Sequence, residues 1–384
     1  MLSPCFYFKW ILEYKSAIKG RTELSTFVGW FESQPMSTRV IKERLTLVLV
    51  SAIALREPSG FAQPSLAMGH ISSVRTVAFD QGPLSEITSD RVAETMVVVD
   101  DSLWISNTNY NRIVRVALSD GKILGSLSVA DKPLGLAFDG RYLWVTNSGS
   151  NHITKISPDD EQVMGTFDVG ANPTAVLFEK NTNTIWVANS GANSVTKLRA
   201  ADGKSLGTFS VGGGPSAFAV EGKNLWVANQ KTGTVTKLKI SDGTVEGTCI
   251  AGSSPIAIAF DGTNLWVADS ENNTLSKLRA SDGEILGKLE LGNGLSALLF
   301  DKHDLWVASS RDSALFKVHP ADGVVEGPFQ AGGQPTAIAF DGSNLWVANY
   351  GSGYLSKLDL HTGRTVGAYG LAPPPPLVVP PTGN

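Results

Sequence analysis

The sequence predicts an all-β protein, a seven-bladed β-propeller with four antiparallel strands per blade. Tryptophan recurs at spacings of 40, 42, 40, 40, 40 and 40 residues, and each interval holds four short apolar or alternating segments bounded by turn residues. A four-strand unit of about 40 residues is typical of a propeller blade. A single blade cannot bury both of its faces, so seven units are expected to stack around an axis. The repeated tryptophans are Trp104, Trp144, Trp186, Trp226, Trp266, Trp306 and Trp346.

The strands are clearest in the unit at 255–294. Asp261-Gly262 and Asp282-Gly283 are hairpin turn signals that separate apolar segments. The four strands predicted for this unit are 256–260, 265–268, 274–278 and 285–291. The first unit is predicted to open with a strand at 95–99, and the last unit keeps a fourth strand at 364–370. The ring therefore does not need a strand from the N-terminus to close.

Each tryptophan stands at the same position of its unit, inside a short apolar strand. A ligand contact on a loop would not recur in every blade, whereas a packing position between blades must. We therefore expect the tryptophans to be structural core residues. An exposed aromatic stripe is the less favoured interpretation.

The motif Leu-Trp-Val-Ala-Asn, as at 225–229, is followed by a polar loop and then by Val-Thr-Lys-Leu or a variant of it. This motif resembles YVTN-type β-propeller repeats, with Trp in place of Tyr, and the Pro-x-Ala-x-Ala-Phe-Asp-Gly opening resembles NHL-type repeats. The resemblance covers about 92–371. It implies a bacterial or archaeal exported protein that binds partners, and it says little about activity because propellers carry unrelated functions.

The segment before the repeats predicts export. Residues 36–62 have a basic start, the apolar run 45–55 and small residues at Gly60 and Ala62, which is the pattern of a signal peptide. The run is shorter than the roughly 20 residues of a membrane-spanning helix, so no stable membrane span is expected after cleavage. A buried core helix is the alternative. Residues 1–35 would then be an upstream extension, and the mature protein would be periplasmic or extracellular.

Two further segments flank the propeller. Residues 63–91 form an N-terminal segment in which 72–80 reads as one possible edge strand. Residues 372–384 are rich in proline and are predicted to be a disordered tail. The predicted propeller spans 92–371 between them.

Charge and cysteine content exclude some classes of protein. The full chain has 32 Lys and Arg residues and 36 Asp and Glu residues. Residues 1–62 hold 8 of the basic and 5 of the acidic residues, so their removal leaves a net charge of −7. Such a surface repels phosphate backbones, so no nucleic-acid partner is expected. Removal of Cys5 leaves Cys249 alone, so the mature chain has no internal disulfide.

Two polar positions recur with the tryptophan. The residue three positions later is expected to cap the loop between the second and third strands. The alternative is a polar or metal-binding rim, although one Asp among amides is a poor start for a calcium site. The residue eleven positions later is always basic and is expected to pack between blades, with its charge on a carbonyl or on a turn carboxylate such as Asp202 or Asp242. The basic residues are Arg115, Lys155, Lys197, Lys237, Lys277, Lys317 and Lys357.

Catalytic motifs are scarce. Gly203 to Gly207 spells Gly-x-Ser-x-Gly, but it lies in a blade turn with no helix after it, which argues against a nucleophilic serine. No catalytic residue, metal ligand or cofactor is therefore assigned. Streptogramin lyases and lactonases are propellers as well, so the alternative function is a lyase or lactonase of the streptogramin-lyase or gluconolactonase-like type with a metal in the axial channel. The Glu-x-His pattern of the lyases is absent.

The loops between the second and third strands differ from blade to blade, while the strands recur. A constant scaffold with variable loops indicates binding of a protein or small-molecule ligand on one face, because every blade places this loop on the same side. The sequence thus predicts a non-catalytic binding or scaffold propeller. The candidate binding residues are Tyr110, Arg112, His152, Lys231, Glu271, Arg311, Tyr350 and Tyr354.

Overall fold

The computed structural model describes residues 95–371. Within this range 28 strands form seven antiparallel sheets, and each sheet consists of four strands consecutive in the chain. The predicted all-β, seven-bladed fold with four strands per blade is confirmed. The predicted extension 1–35, signal peptide 36–62, segment 63–91 and tail 372–384 lie outside the described residues. The described residues contain no helix that could cross a bilayer.

The first four blades contain sixteen strands. Blade 1 comprises β1 (Met96–Val99), β2 (Ser102–Asn107), β3 (Arg112–Ala117) and β4 (Ile123–Ser128). Blade 2 comprises β5 (Pro133–Phe138), β6 (Leu143–Asn147), β7 (His152–Ser157) and β8 (Gln162–Asp168). Blade 3 comprises β9 (Pro173–Glu179), β10 (Thr184–Asn189), β11 (Ser194–Arg199) and β12 (Ser205–Ser210). Blade 4 comprises β13 (Pro215–Glu221), β14 (Asn224–Asn229), β15 (Thr234–Lys239) and β16 (Val245–Ile250).

The remaining three blades follow the same order. Blade 5 comprises β17 (Pro255–Phe260), β18 (Asn264–Asp269), β19 (Thr274–Arg279) and β20 (Ile285–Glu290). Blade 6 comprises β21 (Leu295–Phe300), β22 (Leu305–Ser309), β23 (Ala314–Val318) and β24 (Val325–Gln330). Blade 7 comprises β25 (Pro335–Phe340), β26 (Asn344–Asn349), β27 (Tyr354–Asp359) and β28 (Thr365–Gly370).

The first strand of every blade lies against the first strands of its neighbours, from β1 and β5 through to β21 and β25. The strand β25 also contacts β1, so blade 7 packs directly on blade 1 and the ring closes without a strand from another blade. The second strands are almost entirely buried, whereas the fourth strands alternate between exposed and half-buried residues. The fourth strands therefore form the outer edge of each blade.

The predicted strand bounds in blade 5 agree with the structure within one or two residues. The second strand is longer than predicted, because Asn264 pairs with Arg279 and Asp269 pairs with Thr274 at its two ends. Backbone pairing includes these polar residues, and the apolar pattern alone does not reveal it. The hydrophobic pattern consequently marks the middle of a strand better than its ends.

The seven tryptophans are buried, with exposed fractions of 0 to 2%. Each contributes to a cluster that joins two blades. Trp226 of blade 4, for example, lies in one cluster with Leu265, Val267 and Leu278 of blade 5. Trp144 lies 5.7 Å from Phe167 between ring centroids. The tryptophans therefore fill the interfaces between blades.

Four of these tryptophans also donate a hydrogen bond from the indole to the turn before them. In blade 5 the Asp261 carboxylate accepts from the Trp266 indole at 2.7 Å and from the backbone amides of Thr263 and Asn264 at 2.7 Å each. Equivalent indole bonds join Trp144 to Asp139, Trp306 to Asp301 and Trp346 to Asp341 at 2.8 Å. A single carboxylate thus shapes the turn and satisfies the indole.

The indole nitrogens of Trp104, Trp186 and Trp226 are buried and have no hydrogen-bond partner. In blade 3 the turn is two residues longer, so Glu179 stands seven positions before the tryptophan and bonds Asn181 and Thr182 instead. A buried donor without an acceptor costs stability. These three tryptophans are held by apolar packing and by a cation over the ring, which is Arg115, Lys197 or Lys237 at 5.2 to 5.5 Å from the ring centroid.

The basic residue eleven positions after the tryptophan connects neighbouring blades. Lys197 of blade 3 donates to the carbonyls of Ile240 and Ser241 in blade 4, at 2.7 and 2.9 Å. Burial lowers the pKa of the Lys155 and Lys197 ammonium groups. Equivalent bonds run from Lys155 to Ala200 and Ala201, from Lys237 to Ala280 and Ser281, from Lys277 to Pro320, and from Lys357 to Leu118.

Carbonyls of the neighbouring blade, one of the two kinds of partner expected from the sequence, accept the hydrogen bonds of these lysines, and the carboxylates of Asp202 and Asp242 do not. Lys237 and Lys357 also pair with carboxylates of their own blades, Glu221 at 3.8 Å and Asp341 at 3.9 Å. The turn bends so that the carbonyls before each aspartate point at the lysine, while the Asp242 carboxylate bonds the Thr244 amide in its own turn. Lys317 of blade 6 differs from the others. Its ammonium pairs with Asp304 and Glu326 of its own blade at 3.3 Å each.

Candidate functional site

The loops between the second and third strands lie at one end of the ring together with the connections between blades. We call this end the loop face; it comprises the loops 108–111, 148–151, 190–193, 230–233, 270–273, 310–313 and 350–353 and the connections 129–132, 169–172, 211–214, 251–254, 291–294 and 331–334. Backbone bonds join the two sets, such as Ser190 to Asn172 at 2.9 Å and Lys231 to Gly213 at 2.9 Å. The backbone of the loop face is therefore fixed, and its side chains vary.

A recurrent asparagine fixes the loop to the next connection in four of the blades. Asn111, Asn151, Asn193 and Asn273 all have a left-handed backbone, with φ between 51° and 59°. Asparagine tolerates this conformation better than most residues do. Their side-chain oxygens accept from the backbone amides of Lys132, Asn172, Gly214 and Gly294, at 2.9, 2.9, 3.0 and 2.7 Å. The sequence does mark these asparagines, because each stands seven positions after a repeated tryptophan. The variable residues around them hid this regularity.

The polar residue three positions after the tryptophan is buried at the base of each loop. The amide of Asn189 donates to Thr196 at 2.9 Å, and its oxygen accepts from Gly170 at 3.0 Å. Asp269 accepts from the amides of Glu271 and Asn272 and also from connection residues. These side chains cap the loops and are too buried to form an open polar rim. The set comprises Asn107, Asn147, Asn189, Asn229, Asp269, Ser309 and Asn349, with exposed fractions of 0 to 4%.

The eight candidate binding residues all lie on or beside the loop face, although not all are loop residues. Arg112, His152 and Tyr354 are the first residues of third strands, and the other five lie within the loops. Tyr110 and Tyr354 are 51% and 47% exposed. Lys231, Glu271 and Arg311 are exposed, and Tyr350 is half-buried. The candidates therefore lie in six of the seven blades, with none in blade 3, and are exposed or half-buried.

One candidate is partnered within its own blade. The His152 Nε2 lies 2.9 Å from a carboxylate oxygen of Asp168, which is the last residue of the neighbouring strand β8. Both side chains are accessible to solvent, so the pair makes a modest contribution to stability. The pairing with Asp168 gives His152 a structural role in blade 2 that does not depend on a ligand.

The structure brings two of the eight together in a cavity. Tyr110 and Arg112 line a cavity of about 240 Å³, and none of the other six candidates lines it. The Arg112 guanidinium lies over the Tyr110 ring, 5.6 Å from its centroid. Leu371, which follows the last strand of blade 7, lines the same cavity. The cavity therefore lies where blade 7 meets blade 1.

The innermost strands offer few groups that could bind a metal. Among the seven first strands, the ionisable residues are Glu179 and Glu221, each at the end of its strand. Glu179 bonds Asn181 and Thr182, and Glu221 bonds Asn224 at 2.7 Å. No group of three or more His, Cys, Asp or Glu side chains within 95–371 has the arrangement of a metal site.

Comparison with solved structures supports the propeller fold. Hydrazine synthase of Kuenenia stuttgartiensis is similar with a TM-score of 0.65 at 16% identity, covering 73% of this chain and 99% of that chain. A protein of unknown function from Desulfotomaculum acetoxidans gives a TM-score of 0.60 at 15% identity, covering 70% and 95%. A streptogramin B lyase structure gives 0.59 at 17% identity, covering 68% and 92%. At such identities the similarity shows the fold alone.

Comparison by sequence gave no match. No protein-family model matches the chain, and no curated protein matches it.

Proposed function

We propose that this chain is a non-catalytic binding propeller whose loop face presents variable side chains to a protein or small-molecule ligand. One observation carries the proposal. On the loop face the buried amides and the left-handed asparagines hold the backbone in the same way in several blades, while the side chains between them differ and face solvent. A rigid scaffold with specialised surface residues is the usual design of a binding site.

The resemblance to YVTN-type and NHL-type repeats supports the same proposal, because it rests on the strand motifs and implies a protein that binds partners. We also propose that residues 36–62 direct export, which would place the protein in the periplasm or outside the cell. N-terminal sequencing of the secreted protein should begin near Gln63. A mature protein that retains 45–55 would contradict export by a cleaved signal.

A metal-dependent lyase or lactonase is the second function that the sequence suggested. No group of three or more His, Cys, Asp or Glu among residues 95–371 is arranged as a metal site, and the similarity to a streptogramin B lyase supports the fold alone. No specific observation favours this alternative. Turnover of a lactone or cyclic depsipeptide by the purified protein, with stoichiometric metal, would contradict the proposal of a non-catalytic protein.

The experiment that tests the binding proposal changes the loop face and leaves its backbone bonds intact. Lys231, Glu271, Arg311 and Tyr354 would be replaced together by serine, and the tagged variant would be compared with the parent for capture of partners from a native envelope extract. We expect the parent to retain a defined partner that the variant loses. Equal capture by both proteins would contradict the assignment of the loop face.

A matched control changes the opposite end of the ring. The turn face consists of the turns between first and second strands and between third and fourth strands, and it holds the exposed residues Arg141, Lys223, Thr263 and Ser343. Replacement of Arg141, Lys223 and Thr263 by serine should leave capture unchanged. Loss of the partner in this control would place the binding site on the turn face instead.

A further inference from the structure

The seam between blades 7 and 1 contains the cavity of about 240 Å³. The cavity is smaller than the roughly 300–1,000 Å³ of sites for drug-sized ligands, so it suits a small molecule. Its walls combine apolar side chains with a few polar ones. The lining residues are Asn107, Tyr110, Arg112, Val114, Ile123, Leu124, Gly125, Ser126 and Leu371.

The side-chain amide of Asn107 is a hydrogen-bond donor that lacks the third-strand hydroxyl acceptor found in other blades. In four other blades the equivalent asparagine amide donates to a hydroxyl on the third strand. In blade 1 that position is Val114, which offers no acceptor, and the Asn107 side chain is 4% exposed at the cavity wall. The four standard bonds are Asn147 to Thr154, Asn189 to Thr196, Asn229 to Thr236 and Asn349 to Ser356, at 2.8 to 2.9 Å.

Arg112 supplies the second donor. Its Nε is buried and has no hydrogen-bond partner, and the guanidinium contacts the Tyr110 ring. No lining residue is acidic, so the positive charge has no carboxylate partner in the cavity wall. A buried arginine nitrogen without an acceptor is costly, and a bound anion would relieve the cost.

The remaining walls are apolar. Val114, Ile123, Leu124 and Leu371 surround the two donors, and Leu124 is 54% exposed, so the cavity is accessible from solvent. Such a combination of apolar walls with a few convergent polar groups is the usual make-up of a small-molecule site.

We propose that this seam cavity binds a small monocarboxylate with a single ring or a branched aliphatic body. The carboxylate would accept from Arg112 and Asn107, and the apolar body would lie against Val114, Ile123 and Leu371. The proposal rests on the binding function proposed above and names one ligand class for one part of the loop face.

Calorimetric titration of the full chain at low salt tests the proposal, with 3-phenylpropionate as the probe and 3-phenylpropionamide as its neutral counterpart. We expect saturable binding of the acid, and at least tenfold weaker binding of the amide because the charge-assisted bond is lost. Absence of saturable binding of 3-phenylpropionate, or equal affinity for the two probes, would overturn the proposal.

Two variants locate the site. Arg112→Gln should weaken binding of the acid about tenfold or more, and Val114→Thr should weaken it severalfold, because the new hydroxyl gives Asn107 the acceptor it has in other blades. Arg141→Gln, which removes an exposed arginine on the turn face, serves as the charge-matched control. Unchanged affinity in Arg112→Gln, with its unfolding curve equal to that of the parent, would overturn the proposal.

Failure of the cavity proposal can be distinguished from failure of the broader proposal that the loop face binds a partner. The serine variant at Lys231, Glu271, Arg311 and Tyr354 changes blades 4 to 7 and contains no cavity residue. Loss of partner capture in that variant, with no carboxylate binding by the parent, would reject the cavity ligand and retain the binding function.

Discussion

The two ends of the propeller are built from the same strands but use their polar side chains differently. On the turn face, aspartates bond turn amides and indoles, and lysines bond the carbonyls of the next blade. On the loop face, buried amides and left-handed asparagines hold the backbone, and the exposed side chains between them differ from blade to blade.

The difference shows how to separate structure from function within a repeat. A polar residue that recurs in every unit and is buried with partners holds the fold, as Lys197 does between blades 3 and 4. An exposed residue that occurs in a single unit, as Glu271 does, adds little to stability and is available for recognition. The predictions below test this division, beginning with the largest effect.

Trp226→Ala should cause the largest loss of stability. The side chain is 1% exposed and packs against Leu265, Val267 and Leu278 of the next blade. Removal of so large a buried group costs about 3–5 kcal/mol. The free energy of unfolding in a urea titration measures the loss, and an unchanged midpoint would show that the tryptophans are not core residues.

Asp261→Ala should cost about 1–3 kcal/mol, because it leaves the Trp266 indole and the amides of Thr263 and Asn264 without their acceptor. The matched control is Glu221→Ala in blade 4, where the Trp226 indole already has no partner. We expect the blade 5 variant to be the less stable of the two in the same titration. The reverse order would contradict the role of the carboxylate.

Lys197→Met tests the bond between blades. The methionine keeps the apolar stem but cannot donate to the Ile240 and Ser241 carbonyls, so the expected cost is about 1–2 kcal/mol. Lys231→Met on the loop face is the control, with an expected change within about 0.5 kcal/mol. Equal effects of the two substitutions would contradict the distinction between a connecting lysine and a surface lysine.

The sequence allowed the fold to be predicted almost completely, because period and strand pattern are local properties. The regular tryptophan spacing required one packing position per blade, and Trp226 has the predicted burial. The hydrogen-bond acceptors of the lysines could not be predicted from the sequence, because every residue has a backbone carbonyl and the residue type does not show which carbonyl faces a lysine. Only the bend of the turn shows that Ile240, and not Asp242, faces Lys197.

The candidate site was predictable in part. The variable loops mark the loop face, because the alternation of strands places them at one end. The seam cavity was not predictable, since it depends on Val114 replacing a hydroxyl and on Leu371 of blade 7 lying beside it. Those two residues are more than 250 positions apart in sequence and meet only when the ring closes.

His319 of blade 6 adds a pH dependence to the turn face. Its ring bonds Glu326 at 3.0 Å and Asp304 at 2.5 Å, with Lys317 beside both carboxylates. The hydrogen bonds to Glu326 and then to Asp304 raise the pKa of His319 above 6.5. This contribution to stability is complete below pH 6.5 and is lost as pH rises through the raised pKa.

Unfolding titrations between pH 6 and 8.5 should therefore show the parent losing stability relative to His319→Gln as pH increases. The substituted glutamine does not titrate, so the difference between the two proteins isolates the imidazole. A constant difference across this range would show that His319 does not carry the predicted charge.

The smallest effect on stability is expected on the loop face, and it provides the most direct test of the division between core and site. The serine variant at Lys231, Glu271, Arg311 and Tyr354 should unfold within about 1 kcal/mol of the parent, since surface substitutions rarely cost more than 0.5 kcal/mol each. The decisive measurement is partner capture and urea unfolding of this variant beside Trp226→Ala. Loss of capture with stability retained in the loop variant, and loss of stability in Trp226→Ala, is the predicted result. A Trp226→Ala protein as stable as the parent that no longer captures the partner would show that core and site have been assigned the wrong way round.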